Sequence, residues 1–417
     1  MLSDTNSNEL QSRARPDVSF AQAPLALLTR SADNLPQFEV FVLGTKAAGK
    51  TVLLAALYQY LSAQDNRGNG FRLSCDNSEQ LRALNSILDD LQSPQNLWPD
   101  SSFTESTFNF KCVHTPLNGE PISLFRFNYV DYPGGYITTE PEKIDEYVRR
   151  AHSILVLLDG QKIYDRLTDA DGGGPNIYAD LDKIVPVLSS CIGRPIHFLI
   201  TKSDLFDFEV QTLDKITGVL LRHANLQNVV EQLCDRGIVH IVPVSAIGRN
   251  FATYAGGRMK RKPGARLEPF YVDLSIGLTL MDQIRVFRKF GSSNQRGPLK
   301  RLGLIRMMNR VVAELLKMKQ RVTEINTDSV FSIFTAMIPI NIEAVLAGYE
   351  KCLQQANARL STTITGLEEE IKRLTESIRD QDSALTAIVQ IQAARVAAFE
   401  KKFPASNLDT ASMERRS

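Results

Sequence analysis

The residues best placed to do chemistry are Gly44-Thr45-Lys46-Ala47-Ala48-Gly49-Lys50-Thr51. Their spacing is G-x-x-x-x-G-K-[ST], a loop that wraps phosphate. Glycines at 44 and 49 let backbone approach an anion with no Cβ in the way. Backbone N–H groups then converge on the phosphates, and the positive end of a following helix dipole lies beneath them. Lys50 would reach the β- and γ-phosphates, and the Thr51 hydroxyl would ligate Mg²⁺. The expected phosphate-binding set is Gly44, Lys46, Ala47, Ala48, Gly49, Lys50, Thr51 and Val52.

The flanks supply what such a loop needs. Phe38-Glu39-Val40-Phe41-Val42-Leu43 reads as a buried strand entering it. Val52 to Leu61 reads as a helix leaving it. A second signal lies 80 residues after Thr51. The strand Ile122–Val130 ends on Asp131-Tyr132-Pro133-Gly134, with Gly135 next. An aspartate ending a strand beside a phosphate loop holds Mg²⁺, and the Gly134 N–H can sense a γ-phosphate. Two later strand ends are polar. Pro195–Ile200 delivers Thr201-Lys202-Ser203-Asp204, and Ile238–Val244 delivers Ser245-Ala246. Strands that alternate with helical stretches predict an α/β fold. The sheet would be doubly wound and mostly parallel, with the site at the strands' carboxyl ends.

In this order, G-x-x-x-x-G-K-T, D-x-x-G, T-K-x-D and S-A resemble the Ras-like, TRAFAC-class P-loop GTPases over about residues 37–290. The long gap before D-x-x-G and the extra C-terminal region are similar to bacterial GTPases of conflict and signalling systems, including the double-GTPase type. The resemblance implies GTP/GDP and Mg²⁺ as cofactors. Asp204 would accept hydrogen bonds from the guanine N1–H and amino group, a pair adenine lacks. Lys202 would pack over base and ribose beside Thr201, and the Ala246 N–H, beside Ser245, would bind guanine O6. Thr51, Asp131 and a switch threonine would serve the metal. Thr104 is favoured for that switch position, with Thr107 next. Lys50, Thr104 and Gly134 form the expected catalytic set. One departure matters: Gly135 stands where Ras-like enzymes carry a water-orienting glutamine. Hydrolysis should be slow, or the missing group comes from elsewhere in the chain or from a partner.

The rest of the chain bounds partners and organisation. At 417 residues, 43% hydrophobic, 23% charged and net +1, it reads as a multidomain globular protein with no overall pull on polyanions. Five scattered cysteines form no C-x-x-C pair, and neither a signal-peptide pattern nor an apolar run of ~20 residues is present. A cytoplasmic protein is expected, or one peripheral at a membrane. The expected divisions are an arm at 1–36, taken as disordered, and the GTPase domain at 37–290. A basic helical and apolar segment would follow at 291–348, coiled-coil helices at 349–404 and a disordered tail at 405–417.

Charge is uneven along the chain. From Arg258 to Arg321, 16 Lys/Arg face four acids, so an anionic membrane or nucleic acid is one partner this stretch could meet. A solvated face is the other account. Leu353, Leu360, Leu367 and Leu374 recur every seven residues, with Ile364, Ile371 and Ile378 between them. Such heptads over 353–388 favour a parallel two-stranded coil, hence a homo-oligomer; an internal hairpin is the alternative.

These features predict a GTP-hydrolysing switch coupled to its helical region and to an effector or activating protein. Two further readings stand beside it: a GTP-binding scaffold that hydrolyses little unaided, and a dynamin-like membrane GTPase. If the heptads assemble with nucleotide state, a non-hydrolysable GTP analogue shifts the mass seen by light scattering relative to GDP. Leu367→Lys with Leu374→Lys removes that shift and leaves nucleotide affinity intact. One mass in all four conditions would make the tail structural.

Overall fold

The computed structural model describes residues 29–30, 35–62, 69–93, 98–99, 105–115, 120–168, 176–192, 194–206, 210–236, 239–255, 258–281 and 381–408. Thr104, the Gly172–Gly174 loop, the 330–340 apolar stretch and the Leu353–Ile378 heptads lie outside them.

Nine of the described strands form one sheet. Its parallel centre is β8 (Val239–Pro243), β7 (Ile196–Thr201), β6 (Ser153–Asp159), β2 (Pro36–Leu43) and β5 (Ile122–Asp131), in that spatial order. Where helices cover both faces, parallel strands are apolar throughout rather than alternating. β6, β7 and β8 are buried at every position. β4 (Ser106–His114) and β3 (Arg72–Ser74) extend the β5 edge antiparallel. β4 and β5 are thus neighbours joined in sequence order, running antiparallel.

The helices follow in the order a doubly wound sheet requires. α1 (Lys50–Ser62) leaves the phosphate loop and buries Leu53, Leu54, Ala55, Ala56, Leu57 and Leu61. α2 (Ser78–Gln92) starts where Asn77 Oδ1 accepts the N–H groups of Glu79 and Gln80 at 2.9 and 3.1 Å. α3 (Tyr136–Thr139), α4 (Pro141–Arg150), α5 (Gly160–Thr168), α6 (Ile177–Ser190), α7 (Val210–Leu221) and α8 (Ala224–Arg236) complete the alternation. A hairpin of β9 (Ala252–Ala255) and β10 (Arg258–Arg261) stands apart from the main sheet. Helix α9 spans residues 274–281.

The ends of the chain depart from expectation. Thr29–Arg30 forms β1 against β2 and Leu35 is buried, so the arm joins the sheet before residue 37. Residues 381–404 do not stand out as a coiled coil. α10 (Gln381–Lys402) lies on the domain and buries Ala384, Ala387, Ile388, Ile391, Val396 and Phe399. Gln392 Nε2 donates to Asn69 O at 2.9 Å, Arg395 pairs with Asp273, and Glu400 meets His240 Nε2 at 2.8 Å. A Cβ on Gly70 would sit 2.9 Å from Ile391 Cδ1, so a glycine there lets the helix approach. The expected tail begins as structure too: after a turn at Pro404–Ser406, β11 (Asn407–Leu408) pairs antiparallel with β8. The physical reason is composition. α10 is small and apolar on more than one side, which suits a helix buried against a domain better than a two-stranded seam.

If α10 belongs to the core, Ile391→Ala leaves a cavity and should cost about 2–5 kcal/mol. Guanidinium unfolding of the full chain checks it. An unchanged midpoint would make residues 381–408 peripheral.

Candidate nucleotide-binding site

The sheet brings the expected motifs to one end. β2 pairs in parallel with β5, Phe41 opposite Val130, so the loop after Leu43 meets Asp131 directly. Thr51 Oγ1 donates to Asp131 Oδ2 at 2.7 Å, a short bond to a carboxylate. Lys50 is buried, and its ammonium donates to Gly44 O at 2.9 Å and Thr45 O at 3.2 Å. Burial lowers the Lys50 pKa to about 8, against the pull of Asp131. Ala47 (φ 66°) and Gly49 (φ 87°) are both left-handed, the alternation that turns successive N–H groups into an anion-binding nest. Gly44 serves packing instead: a Cβ there would lie 3.2 Å from Leu157 Cβ.

Gly134 is fixed by contact. A Cβ on it would fall 2.4 Å from the Lys46 N and 2.5 Å from the Thr45 carbonyl carbon. The D-x-x-G turn thus lies on the phosphate loop itself. Tyr132, the unremarked residue of that motif, holds the two together. Its hydroxyl accepts the Gly44 N–H at 3.0 Å, and its ring lies 4.9 Å from Lys50 Nζ and stacks on Phe41 at 5.4 Å. Tyr129, three residues earlier, donates to Lys50 O at 3.0 Å.

The other two strand ends meet across β7 and β8. Lys202 is left-handed (φ 52°), which turns the chain sharply into Ser203–Leu205 and presents Asp204. Ser245 Oγ donates to Asp204 Oδ1 at 2.6 Å and accepts the Gly248 N–H at 2.8 Å. Burial raises the Asp204 pKa, opposed by the Ser245 bond. Lys202 Nζ pairs with Asp159 Oδ2 at 2.8 Å. Asp159 ends β6 as Asp131 ends β5, a signal readable in the sequence but not used there.

A cavity of about 590 Å³ joins these parts, which suits a nucleotide-sized ligand. Lys46, Ala47, Gly49, Lys50, Thr51 and Val52 line one end, with Gly134. Thr201, Lys202, Asp204 and Ala246 line the other. Gly44, Ala48, Asp131 and Ser245 stand behind this wall. Thr107 is exposed on β4, where its carbonyl accepts Gln80 Nε2 at 2.6 Å. Trp98, Gln161, Met259 and Lys260 also line the cavity and were not anticipated. Part of the basic stretch is therefore spent locally, at Lys260 and at Arg261, whose Nη1 donates to Ser93 O at 2.7 Å.

Residues 40–241 match the family model described as Double-GTPase 2. They form a P-loop GTPase domain of the double-GTPase type. The match ends before Ser245 and Ala246, which the geometry adds to the same cavity. No curated protein sequence matches the chain. Among solved structures it is similar to the signal recognition particle receptor SRb-GTP/SRX complex from Chaetomium thermophilum. Identity there is 17%, with 51% of this chain and 91% of that chain covered and a TM-score of 0.32.

The Asp204 environment sets a pH dependence. If Asp204 reads guanine, only its carboxylate accepts both donors, and burial makes it take up a proton at higher pH than an ordinary aspartate. GTP affinity should therefore fall on acidification, starting above the usual carboxylate range. Ser245→Ala removes the bond that favours the charged form, so its loss of affinity should begin at higher pH still. Calorimetric titrations across pH compare the two; superimposed profiles would refute the assignment.

Proposed function

We propose that this protein binds GTP with Mg²⁺, hydrolyses it to GDP and phosphate, and passes the nucleotide state to its helical region. The observation that carries this reading is the single cavity lined at one end by the phosphate loop and at the other by Asp204 and Ala246. Guanine-nucleotide binding follows from the family of the domain. In this reading Lys50 leaves the carbonyls of Gly44 and Thr45 for the β- and γ-phosphate oxygens. The Gly134 N–H, already against Lys46, meets the γ-phosphate. Asp204 reads the guanine N1–H and amino group, and the Ala246 N–H reads O6.

The donor chemistry fits Mg²⁺. Thr51 Oγ1 and Asp131 Oδ2 are hard oxygens 2.7 Å apart, and Mg²⁺ is held by one or two such groups with water and phosphate oxygens. Bound there, the ion would offset charge on the β- and γ-phosphates. Thr104 is proposed as the further ligand from the switch.

One observation favours the second reading, a switch with little unaided hydrolysis. Gly135 has ordinary helical backbone (φ −68°, ψ −24°) at the start of α3, and a Cβ there would meet nothing within 4 Å. The space for a water-orienting side chain exists and is empty of one. A partner or a residue from elsewhere in the chain would supply it. Assembly through the 353–388 heptads, an anionic partner for 258–321, and a cytoplasmic or membrane-peripheral place are proposed from the sequence pattern.

Binding and turnover of purified full-length protein test the reading. GTP should bind at least about a hundredfold more tightly than ATP, since adenine offers the half-buried Asp204 carboxylate no matching pair of donors. Asp204→Asn should favour xanthosine triphosphate, and Lys50→Ala should lose triphosphate binding. Gly135→Gln should fold normally and hydrolyse faster than the parent. ATP bound as tightly as GTP would overturn the guanine assignment.

A further inference from the structure

We propose that Trp98 is a base-contacting residue of the nucleotide site, and that the β9–β10 hairpin holds it there and so sets how long the nucleotide stays. This rests on the guanine-nucleotide reading above and adds a residue and an element that no sequence motif marks.

The hairpin begins just past Ser245-Ala246, at the base end of the cavity. Ile247, Phe251 and Ala252 form a small apolar cluster of their own, with Met259 packed against it. Trp98 joins this cluster from the chain that follows α2. Its ring meets Phe251 edge-to-face at 6.4 Å and 73°, and its Nε1–H donates to Met259 O at 3.1 Å. Arg261 reaches the same stretch of chain. It donates to Ser93 O, and its guanidinium lies 5.2 Å from the Phe251 ring centroid. Two bonds thus tie the hairpin to the chain on either side of residues 94–97.

The hairpin is anchored across the cavity as well. The Tyr254 hydroxyl donates to Asp165 Oδ1 at 3.0 Å and accepts Gln161 Nε2 at 3.1 Å. Its ring meets Tyr164 edge-to-face at 6.1 Å. Gln161 and Trp98 line the same cavity as Asp204, so one small ribbon braces two of its walls. Trp98 nevertheless stays 37% exposed, the largest side chain among the described residues left so open. An indole with its N–H satisfied, one edge packed and surface left beside a base-sized space is a stacking platform. Stacking tolerates any base, because every base has a π-face. Trp98 therefore contributes residence time and affinity, while Asp204 keeps the choice of guanine.

The chain has one tryptophan, so its emission reports Trp98 alone. Full-length protein is titrated with GDP while emission is recorded, GDP affinity is measured separately by calorimetry, and release is followed by chase with excess nucleotide. Emission should change with the calorimetric Kd. Trp98→Ala should release GDP on the order of tenfold faster, the loss expected for one base–aromatic stack. Trp98→Phe keeps a ring but loses the bond to Met259 O and should fall between. Arg261→Ala should speed release while the emission change on binding persists. The ratio of GDP to ADP affinity should not move in any of the three. Calorimetric GDP binding with silent emission and parental release from Trp98→Ala would overturn this inference and leave the guanine reading standing. Absence of GDP binding in the parent would remove both.

Discussion

The site depends on the parallel register between β2 and β5. Phe41 opposite Val130 sets the phosphate loop and Asp131 at the same height. Side chains alternate along a strand, so a slip of one residue would send Asp131 to the other face of the sheet. Three side chains of β5 and its end lock that register from the loop's side. Tyr129 holds Lys50 O, Asp131 takes the Thr51 hydroxyl, and Tyr132 takes the Gly44 N–H. Tyr129, Asp131 and Tyr132 are all buried, so each bond forms out of competition with water. The cost is a buried Lys50 whose ammonium is held by two carbonyls rather than solvent. Such a group gains strongly when phosphate oxygens arrive, because its desolvation is already complete.

The same logic governs the base end with different tools. β7 and β8 run in parallel, Ile200 opposite Pro243, which places Asp204 and Ser245 after neighbouring strands. The left-handed turn at Lys202 and the Ser245 bond then aim the Asp204 carboxylate. Asp159 adds a charge partner for Lys202 from β6. Three adjacent parallel strands thus end in residues that position one another, the usual place for a ligand in an open α/β sheet.

What the sequence made legible was whatever a short stretch decides for itself. The phosphate loop and its flanking strand and helix are local, and they stand where expected. Asp131, Asp204 and Ser245 were readable because each lies at or just past the carboxyl end of a strand. Tyr132 was inside a recognised motif, yet its hydrogen bond to Gly44 joins residues 88 apart, and no periodicity reports that. Trp98 and the hairpin are further from reach, since Trp98 meets Met259 across 161 residues. α10 misled for a physical reason. Leu385 and Ile388 prolong the heptads upstream in sequence, while the apolar positions on its other sides carry no heptad signal. β11 is two residues long, below the length at which strand propensity says anything.

The position of α10 changes what the intervening chain can do. α9 ends at residue 281 and α10 begins at 381, and the two touch: Gln392 Oε1 lies 2.7 Å from where a Cβ on Gly277 would be, and Arg395 pairs with Asp273 at the start of α9. Residues 281 and 381, on either side of a stretch outside the described residues, therefore sit on neighbouring elements. That stretch holds much of the positive charge and all of the Leu353–Leu374 repeat. α10 also touches the chain ahead of β3 through Asn69 and Gly70, and β8 through His240, the strand that leads to Ser245. This packing is the path by which the proposed coupling would run from the base end to residues 281 and 381. Coupling by this route needs no hinge of its own, only that α10 has two seats on the sheet whose balance the nucleotide changes.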